Sequence, residues 1–376
     1  MIIGIDASNI RSGGGLTHLK EILNNSDPEV QLFEKIIVWS NSNTINNLPH
    51  KPWIEYKTSL LLNKGTFFSF IFQLLFLNNE AKIHNCNTIL VPGGVFLSLF
   101  RPYVAISQNL LPFELKEAFR YDSFFQKIRF VILRILQKFT FKNAKGLIFL
   151  TNYAKSIISK SVSIPLNNIV IPHGVDLSKS LLPKKAIDNK SFSFENPFKL
   201  LYVSIIAPYK HQWVITEAVC KLNLMGYPIK LILIGPSEPS SLKKVNKVLS
   251  NYNLSSNCID YVGPIAHDKL FSYYEDADGF IFGSSCENLP IILIEAMSMG
   301  LPILSSSRGP MPEVLGENEN CYFDPEILSD TIERIKYFYN NPDLRMRISN
   351  SSYQKSTHFS WLQTSNETFK FLLKSA

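Results

Sequence analysis

Short apolar runs alternate with longer segments of helical periodicity along this 376-residue chain, and that alternation limits the folds open to it. The runs are rich in β-branched residues, as in IIGID at the start and GLIFLT at 146–151. Helical patterns lie between them, for example Leu16 to Leu23 and Gln212 to Met225. Apolar strands that alternate with helices form parallel sheets covered on both faces. The sequence therefore predicts an α/β protein with doubly wound parallel sheets.

The predicted strands fall into two sets that lie on either side of residue 180. The first set is IIGID, KIIVWS, WIEYK, TILVPG, YVAIS, GLIFLT and NIVIPHG, and the second is KLLYVSII, IKLILIG, IDYVG, GFIFGS, PILSSS and CYFD. Two further helices are predicted from Ser240 to Tyr252 and from Ile327 to Tyr339. Each half thus has the strand and helix content of a domain of its own.

A compositional break separates the halves. Residues 180–199, SLLPKKAIDNKSFSFENPFK, are rich in Ser, Lys, Asn and Pro and show no clear periodicity, which is typical of a linker. We predict an N-terminal domain over 1–183, a linker over 184–198 and a C-terminal domain over 199–355. Because ligands of doubly wound sheets bind beyond the carboxyl ends of the strands, two such domains facing each other would form a cleft for a large ligand.

Composition restricts the compartment and the partners. The chain is 45% hydrophobic and 18% charged, as in globular proteins, and its five cysteines are scattered without a CxxC pair, which favours reduced thiols and argues against a zinc site. No signal-peptide pattern is apparent, and the apolar run from Phe67 to Leu77 is shorter than the ~20 residues a bilayer span needs. We therefore expect a cytoplasmic protein. The net charge of +7 favours acidic partners, namely phosphate-bearing ligands, anionic lipid or nucleic acid.

Residues 284–307, SSCENLPIILIEAMSMGLPILSSS, carry two glutamates in an otherwise apolar stretch. Pro290 suits the first turn of a helix, Asn288 is a plausible cap before it, and Gly300 ends the helix. Glu287 then lies in the preceding loop and Glu295 about one and a half turns inside.

The start of this predicted helix can bind an anion. The amides of Ile291 and Ile292 would point outward at the positive end of the helix dipole, a favourable position for phosphate. A nucleotide sugar fits the arrangement, with its diphosphate at these amides and hydroxyl groups at the two carboxylates. The alternative from the residues alone is that Glu295 pairs with a basic residue in the interface and Glu287 only caps the helix.

The same segment resembles the E-x7-E signature of the retaining family 4 glycosyltransferases, whose GT-B fold consists of two Rossmann-like domains facing across a cleft. Glu287 and Glu295 match its two glutamates, and the sequence continues to resemble the family as far as Pro325. YVSIIAPYKHQWVITEAV resembles the segment with the diphosphate-binding lysine, which falls on Lys210. VIPHGVDLSKS resembles the family's segment before the linker, and FSW resembles its closing segment. The resemblance implies that the last helix, at about 356–376, packs back on the N-terminal domain.

The sequence departs from the family pattern in three places. The first glutamate is followed by Asn288, Leu289 and Pro290 instead of a glycine-rich run. Ile205 stands where many members have an arginine, and Gln108 where a histidine is frequent.

The resemblance implies a set of roles. Glu287 would hold the donor sugar hydroxyls and Lys210 the leaving diphosphate, as the catalytic residues, while Glu295 would hold the ribose. The full set implied to contact the donor is Gly14, Gly15, Lys210, Glu287, Leu289, Pro290, Ile291, Ile292 and Glu295. The glycines of RSGGGLTHLKEIL follow the first strand, where backbone can approach a phosphate closely.

Other residues are candidates for contacts with the sugar, the acceptor or a metal. Gln108, Asn109 and His18 are candidates for sugar or acceptor contacts, although His18 could equally be a solvated helix residue. Asp276 and Asp278 form an Asp-x-Asp pair, but at a helix-to-strand junction such residues usually solvate a turn. We expect no metal site, and the family implies no cofactor and no obligatory metal.

The stretch from Arg120 to Lys145 holds seven basic residues and one acidic residue. On a single helix most of the basic residues would share one face, and an apolar set would lie beside them: Phe125, Ile128, Ile132, Ile135, Leu136 and Phe139. Either this is a domain helix with its solvated side, or it is a surface for peripheral contact with an anionic membrane. No nucleic-acid recognition module is evident.

The interpretation that joins these observations is a retaining, hexosyl-type glycosyltransferase. It would move a sugar from a nucleoside-diphosphate donor to a hydroxyl of a lipid-linked glycan acceptor, in O-antigen (lipopolysaccharide) or capsule polysaccharide assembly at the cytoplasmic face of the membrane. The family implies a same-face displacement in which the departing phosphate takes the acceptor proton. Two alternatives stay open: a GT-B sugar-nucleotide epimerase, and a non-catalytic donor-binding partner of another transferase.

Overall fold

The computed structural model describes residues 1–185, 187–252, 258–316 and 321–376. Within them, the strands are β1 (Ile2–Asp6), β2 (Lys35–Trp39), β3 (Ile54–Lys57), β4 (Thr88–Val91), β5 (Tyr103–Ile106), β6 (Gly146–Phe149), β7 (Asn168–Val170), β8 (Phe198–Val203), β9 (Ile229–Ile234), β10 (Ile259–Gly263), β11 (Gly279–Phe282), β12 (Ile303–Ser306) and β13 (Tyr322–Phe323). The helices are α1 (Gly13–Asn24), α2 (Pro28–Gln31), α3 (Ser42–Ile45), α4 (Leu60–Asn63), α5 (Thr66–Leu75), α6 (Leu77–Ile83), α7 (Leu115–Ala118), α8 (Phe124–Asn143), α9 (Asn152–Ser159), α10 (Gln212–Leu224), α11 (Pro239–Asn251), α12 (His267–Asp276), α13 (Ile291–Ser298), α14 (Met311–Leu315), α15 (Leu328–Asn340), α16 (Pro342–Ser356) and α17 (Trp361–Ser375).

Every strand predicted from the sequence is present, which confirms the α/β class. Several strands end earlier than their apolar runs, as β11 does at Phe282, because the following residues turn into loops at the carboxyl edge of the sheet. The long predicted helices are confirmed as well, among them α10 and α15. The apolar run from Phe67 to Leu77 divides between α5 and α6. Among the described residues, no helix combines the length and the apolarity that crossing a bilayer requires.

The chain forms two compact units. Unit 1 comprises Met1–Leu115, Phe125–Gly174 and Ser360–Ala376, and unit 2 comprises Lys116–Phe124 and Val175–Phe359. The change of unit at Gly174 lies before the predicted linker at 184–198. The physical reason is that the residues before the linker already bind unit 2: the Leu181 amide donates to the Ser298 carbonyl at 3.2 Å and the Lys184 amide to the Gly300 carbonyl at 3.0 Å.

Unit 1 is built on a seven-stranded sheet in the order β3-β2-β1-β4-β5-β6-β7, with every pairing parallel. The central strands β4, β5 and β6 are buried on both faces, the edge strands β3 and β7 are mostly half-buried, and aromatic side chains such as Trp39, Phe96 and Phe149 fill the core. The order reverses between β1 and β4, and in doubly wound sheets this switch point is where ligands bind.

Helix α17 closes unit 1. The Ser365 hydroxyl donates to the Ile22 carbonyl on α1, and the Thr364 hydroxyl donates to the Pro172 carbonyl, both at 2.8 Å. The chain passes so close at Gly174 that a Cβ there would lie 2.1 Å from the Trp361 nitrogen. Only glycine fits at that position, so the sequence HGV at 173–175 is needed for α17 to reach unit 1.

Unit 2 is built on a six-stranded parallel sheet in the order β10-β9-β8-β11-β12-β13. Here the switch point lies between β8 and β11. The loops that leave these two neighbouring strands carry Lys210 and Glu287. The sheet order therefore brings together two residues that are far apart in the sequence.

Candidate functional site

Lys210 and Glu287 form an ion pair at the switch point of unit 2. Lys210 is only 5% exposed, and its ammonium group lies 5.2 Å and 5.0 Å from the ring centroids of Tyr209 and Phe282. The backbone at Lys210 is held in place as well, because the Tyr202 hydroxyl donates to the Lys210 carbonyl at 2.7 Å. The structure thus places a buried cation where the sequence predicted a diphosphate-binding lysine.

The chemistry of this pair suits a ligand with several acceptor oxygens. An ammonium group has three N–H donors, so its bond to Glu287 leaves capacity for phosphate oxygens. Burial and the charge of Glu287 together raise the pKa of Tyr202 and of Tyr209 well above the ordinary value, so both rings stay neutral. In a site of low polarity a preorganised cation acts strongly on developing negative charge.

Helix α13 begins beside this pair. The first residue of α13 is Ile291, whereas the sequence predicted Pro290 in the first turn. The N-cap is Pro290, whereas the sequence predicted Asn288 as the cap. Intrahelical bonding starts when the Leu293 amide donates to the Pro290 carbonyl at 3.1 Å. Ile291 and Ile292 therefore occupy the first turn, where amides lack intrahelical acceptors and attract anions.

The flanking residues of this loop and helix are fixed by packing and backbone conformation. Leu289 and Pro290 are buried, while Ile291 and Ile292 are partly exposed. Gly300 adopts a φ of +64°, and a Cβ there would lie 2.5 Å from the Leu182 carbonyl oxygen. Gly300 thus ends the helix as the sequence predicted, through a left-handed conformation that favours glycine.

Glu295 is buried in α13 and already has two partners. Its Oε1 lies 2.8 Å from His267 Nε2, and its Oε2 accepts from the Tyr274 hydroxyl at 3.2 Å. The alternative of a basic partner for Glu295 is therefore partly realised by His267, which is exposed, and Tyr274 on α12 is a second partner. Because a carboxylate has about four lone-pair positions, Glu295 can still accept hydrogen bonds from a diol.

His267 and Tyr274 were not among the sequence candidates. Their signal is their spacing in HDKLFSYYED, seven residues apart on α12, which places both on one face of that helix. Burial is the first cause that raises the pKa of Tyr274 well above the ordinary value, and the charge of Glu295 adds to it. The tyrosine consequently remains a donor toward Glu295.

In unit 1 the glycine loop forms the first turn of α1 and meets Gln108. A Cβ at Gly15 would lie 3.0 Å from the Gln108 side-chain oxygen, whereas Gly14 is exposed. The exposed Asn109 is committed locally, since its side chain accepts from the Leu111 amide at 3.1 Å. The structure thus brings Gly15 and Gln108 together at the carboxyl edge of the unit 1 sheet.

Asn9, in the loop between β1 and α1, was missed from the sequence. Both of its side-chain amide atoms, and the Nε2 of Gln108, are buried with no hydrogen-bond partner among the described residues. Buried polar groups are normally satisfied, so unpaired ones at a switch point are candidates for ligand contacts.

His18 does not lie where either sequence interpretation placed it. It is 1% exposed, and its Nδ1 lies 2.9 Å from the Nδ1 of His173. Trp361 packs against both rings, at centroid distances of 5.9 Å and 5.7 Å. The prediction of a solvated helix position is wrong, and burial within the core contacts of unit 1 also removes His18 from the acceptor candidates.

The acidic Asp-x-Asp pair serves unit 2 structurally. Asp276 pairs with the Lys199 ammonium at 2.8 Å, and Asp278 accepts from the Lys199 amide at 2.9 Å. In the part of the chain that the structure describes, no group of three or more His, Cys, Asp and Glu side chains has the spacing of a metal site.

The basic segment is shorter as a helix than predicted. Helix α8 covers Phe124–Asn143, so Arg120 and Lys145 lie outside it. Arg120 is instead bound by Glu117 and Glu326 of unit 2, which removes it from the predicted basic face.

Residues 183–355 match the family model of the glycosyl transferases group 1, and this segment lies within unit 2. The amylovoran biosynthesis glycosyltransferase AmsK of Erwinia amylovora is 23% identical over 191 residues, which is 46% of each chain. The chain spans between about a fifth and just under half the length of the first curated relatives it matches.

Solved structures match the whole chain. A sucrose-phosphate synthase from Thermosynechococcus elongatus has a TM-score of 0.76 at 16% identity, over 98% of this chain and 97% of that one. Anabaena HepE in complex with UDP-glucose has a TM-score of 0.71 at 16% identity, over the full length of both. At such identity the likeness concerns the fold, which is GT-B. The comparisons thus show the GT-B fold for the whole chain and a match to the group 1 glycosyl transferases over residues 183–355.

Proposed function

We propose that this protein is a retaining glycosyltransferase that uses a nucleoside-diphosphate sugar as donor. The observation that carries the proposal is the buried Lys210–Glu287 pair beside the start of α13, inside the segment that matches the group 1 family. HepE was solved with UDP and with UDP-glucose, which supports a nucleotide-sugar donor for a chain of the same fold.

The described residues divide the work at the donor. Lys210 and the amides of Ile291 and Ile292 would bind the diphosphate and stabilise it as negative charge develops on departure. Glu287 would accept hydrogen bonds from sugar hydroxyls, and Glu295 from the ribose diol. No protein group needs to take the acceptor proton, since the departing phosphate can do so in a same-face displacement, and no obligatory metal or cofactor is proposed.

In unit 1 we propose Gln108 and Asn109 as contacts for sugar or acceptor hydroxyls, with Asn9 added on the basis of its unpaired amide. Gly14 and Gly15 remain proposed anion contacts at the start of α1. The side chains of Gln108, Asn109 and Asn9 are neutral amides, which suit ligands with hydroxyl groups and not charged ligands.

The acceptor we propose is a lipid-linked glycan of a surface polysaccharide such as O-antigen or capsule. AmsK is described as an amylovoran biosynthesis enzyme, which supports polysaccharide assembly. The outward side of α8 supports a membrane location: Ile132, Ile135 and Phe139 are exposed, and they lie opposite the buried Phe130 and Phe141. Lys127, Arg129, Lys138 and Lys142 flank this apolar side, a combination that suits the headgroup boundary of an anionic bilayer.

The donor assignment is tested by binding and turnover. A panel of nucleotide sugars is screened by thermal shift, and the best ligand is assayed for transfer to a lipid-linked acceptor. Lys210→Ala should weaken UDP binding about tenfold to hundredfold, because a charge-assisted contact to phosphate is lost. Lys199→Ala is the matched control, since Lys199 lies at the opposite end of β8 and also pairs with a carboxylate.

Equal UDP affinity in Lys210→Ala and wild-type protein would contradict this proposal. Conversion of the sugar nucleotide to an epimer without acceptor would show the epimerase alternative instead.

A further inference from the structure

Residues 116–124 lie in unit 2, although the chain before and after them lies in unit 1. The segment includes the end of α7 and carries Glu117, which is only 7% exposed. A buried carboxylate is costly unless it is paired, and the proposed chemistry does not use this one. Its position next to the site therefore requires a physical explanation.

Glu117 is held rigidly by Arg120. Arg120 Nε donates to Oε2 of Glu117 at 2.7 Å, and Nη2 donates to Oε1 at 3.1 Å, a two-point contact. The same Nη2 lies 2.7 Å from Glu326 Oε1. Two-point arginine–carboxylate contacts fix the orientation of both groups. The Glu117 carboxylate is thus presented in one orientation.

That carboxylate accepts a hydrogen bond from a serine in the Glu287 loop. Ser285 Oγ lies 2.5 Å from Glu117 Oε2, and His211 Nε2 lies 2.9 Å from the same hydroxyl. The hydroxyl has one proton and gives it to the carboxylate, so His211 must donate its Nε2 proton to Ser285 Oγ. Burial, followed by the charge of Arg120, lowers the pKa of His211 to about 4, in agreement with a neutral ring.

Ser285 and His211 lie next to Glu287 and Lys210, the two residues proposed to bind the donor. His211 follows Lys210 directly and adopts a φ of +53°, and Ser285 lies two residues before Glu287. The two loops also bond to each other, since the Ser285 amide donates to the Tyr209 carbonyl at 2.8 Å. The hydrogen bonds from His211 to Ser285 to Glu117 therefore join both loops to one fixed carboxylate.

We propose that Glu117 is a positioning residue, which acts through Ser285 and His211 to hold Lys210 and Glu287 in the geometry that binds the donor diphosphate. The inference rests on the proposed function and adds to it a role for a segment of the N-terminal half of the sequence. Small displacements of a positioned charge cost affinity, because the strength of a charge-assisted hydrogen bond falls steeply with distance and angle.

The test is a double-mutant cycle with UDP as the probe and calorimetry as the measurement. Glu117→Ala and Ser285→Ala should each weaken UDP binding about tenfold. Ser285→Ala removes one hydroxyl and leaves the Glu117–Arg120 pair intact, so it guards against a variant that simply unfolds. In a Lys210→Ala background the same substitutions should change UDP affinity less than about twofold, because Lys210 is gone and Glu287 is proposed to contact the sugar, which UDP lacks. Lys116→Ala, in the same segment and largely exposed, should bind UDP as wild-type protein does.

Two results would overturn the inference. The first is Ser285→Ala protein with wild-type UDP affinity. The second is a loss that persists undiminished in the Lys210→Ala background, which would indicate a general distortion of unit 2. A Lys210→Ala protein that binds UDP normally would instead overturn the proposed donor site, and this inference with it.

Discussion

The two histidines His18 and His173 of unit 1 show how burial can make stability depend on pH. Because the Nδ1 atoms of His18 and His173 lie 2.9 Å apart, one ring must carry its proton on Nδ1 and the other must accept. Burial lowers the pKa of His18 to about 4, and burial together with His18 lowers that of His173 well below the ordinary value. Both rings are therefore neutral in the folded protein near pH 7.

This pair should make unit 1 less stable in mild acid. Between about pH 6.5 and pH 4 the unfolded chain binds protons that the folded histidines do not, so the free energy of unfolding falls as the pH falls, by up to about 1.4 kcal/mol per pH unit for each histidine. His18→Gln should lose stability at pH 7.5, and that loss should shrink toward pH 5. Thermal unfolding between pH 7.5 and pH 5 measures this, with the exposed His50→Gln as control. A constant difference between wild-type and His18→Gln protein at all pH values would contradict the account.

At this scale the sequence drew attention to Lys210 and Glu287 but not to their neighbours. Glu287 stood out as one of two carboxylates in an apolar stretch and Lys210 through the resemblance of its segment to the family, and the structure brings the two together. The partners of Glu295 and the amide of Asn9 could not be predicted, because ordinary polar residues become conspicuous only once burial is known. His18 was misplaced for the same reason: a helical pattern does not show what packs against it.

At the scale of elements, strands were predicted reliably and the surroundings of helices were not. The apolar runs are long enough to define every strand of both sheets. For α8, periodicity gave two faces but not their orientation. The apolar set proves exposed for Phe125, Ile128, Ile132, Ile135 and Phe139, with Leu136 only partly so. Contiguous exposed apolar side chains of this kind are typical of interaction surfaces.

The outward side of α8 can be tested with vesicles. Ile132→Asp/Ile135→Asp should bind vesicles that contain phosphatidylglycerol at least tenfold more weakly than wild-type protein, because apolar burial in the bilayer is replaced by charge. Thermal stability should change little, since both side chains are exposed. Leu166→Asp, at another exposed leucine of unit 1, is the matched control. Co-sedimentation measures vesicle binding. Wild-type protein that does not bind anionic vesicles would contradict the proposed membrane contact.

At the scale of the whole molecule, each unit has its own parallel sheet with a switch point in strand order. The sequence predicted two domains but placed the boundary at a compositional break, whereas the units change at Gly174. The difference arises because hydrogen bonds to Ser298 and Gly300, which no local pattern reveals, attach the residues before the break to unit 2. The placement of residues 116–124 in unit 2 could not be predicted from the sequence either, because it involves the ion pair of Arg120 with Glu326, which is far away in the sequence.

The central claim is that the start of α13 and Lys210 together bind a diphosphate. A crystal structure of the protein with UDP, grown at a concentration that calorimetry shows to be saturating, tests it most directly. The account predicts phosphate oxygens within hydrogen-bond distance of the Lys210 ammonium and of the amides of Ile291 and Ile292. A diphosphate bound elsewhere, with Lys210 still paired to Glu287 alone, would contradict it.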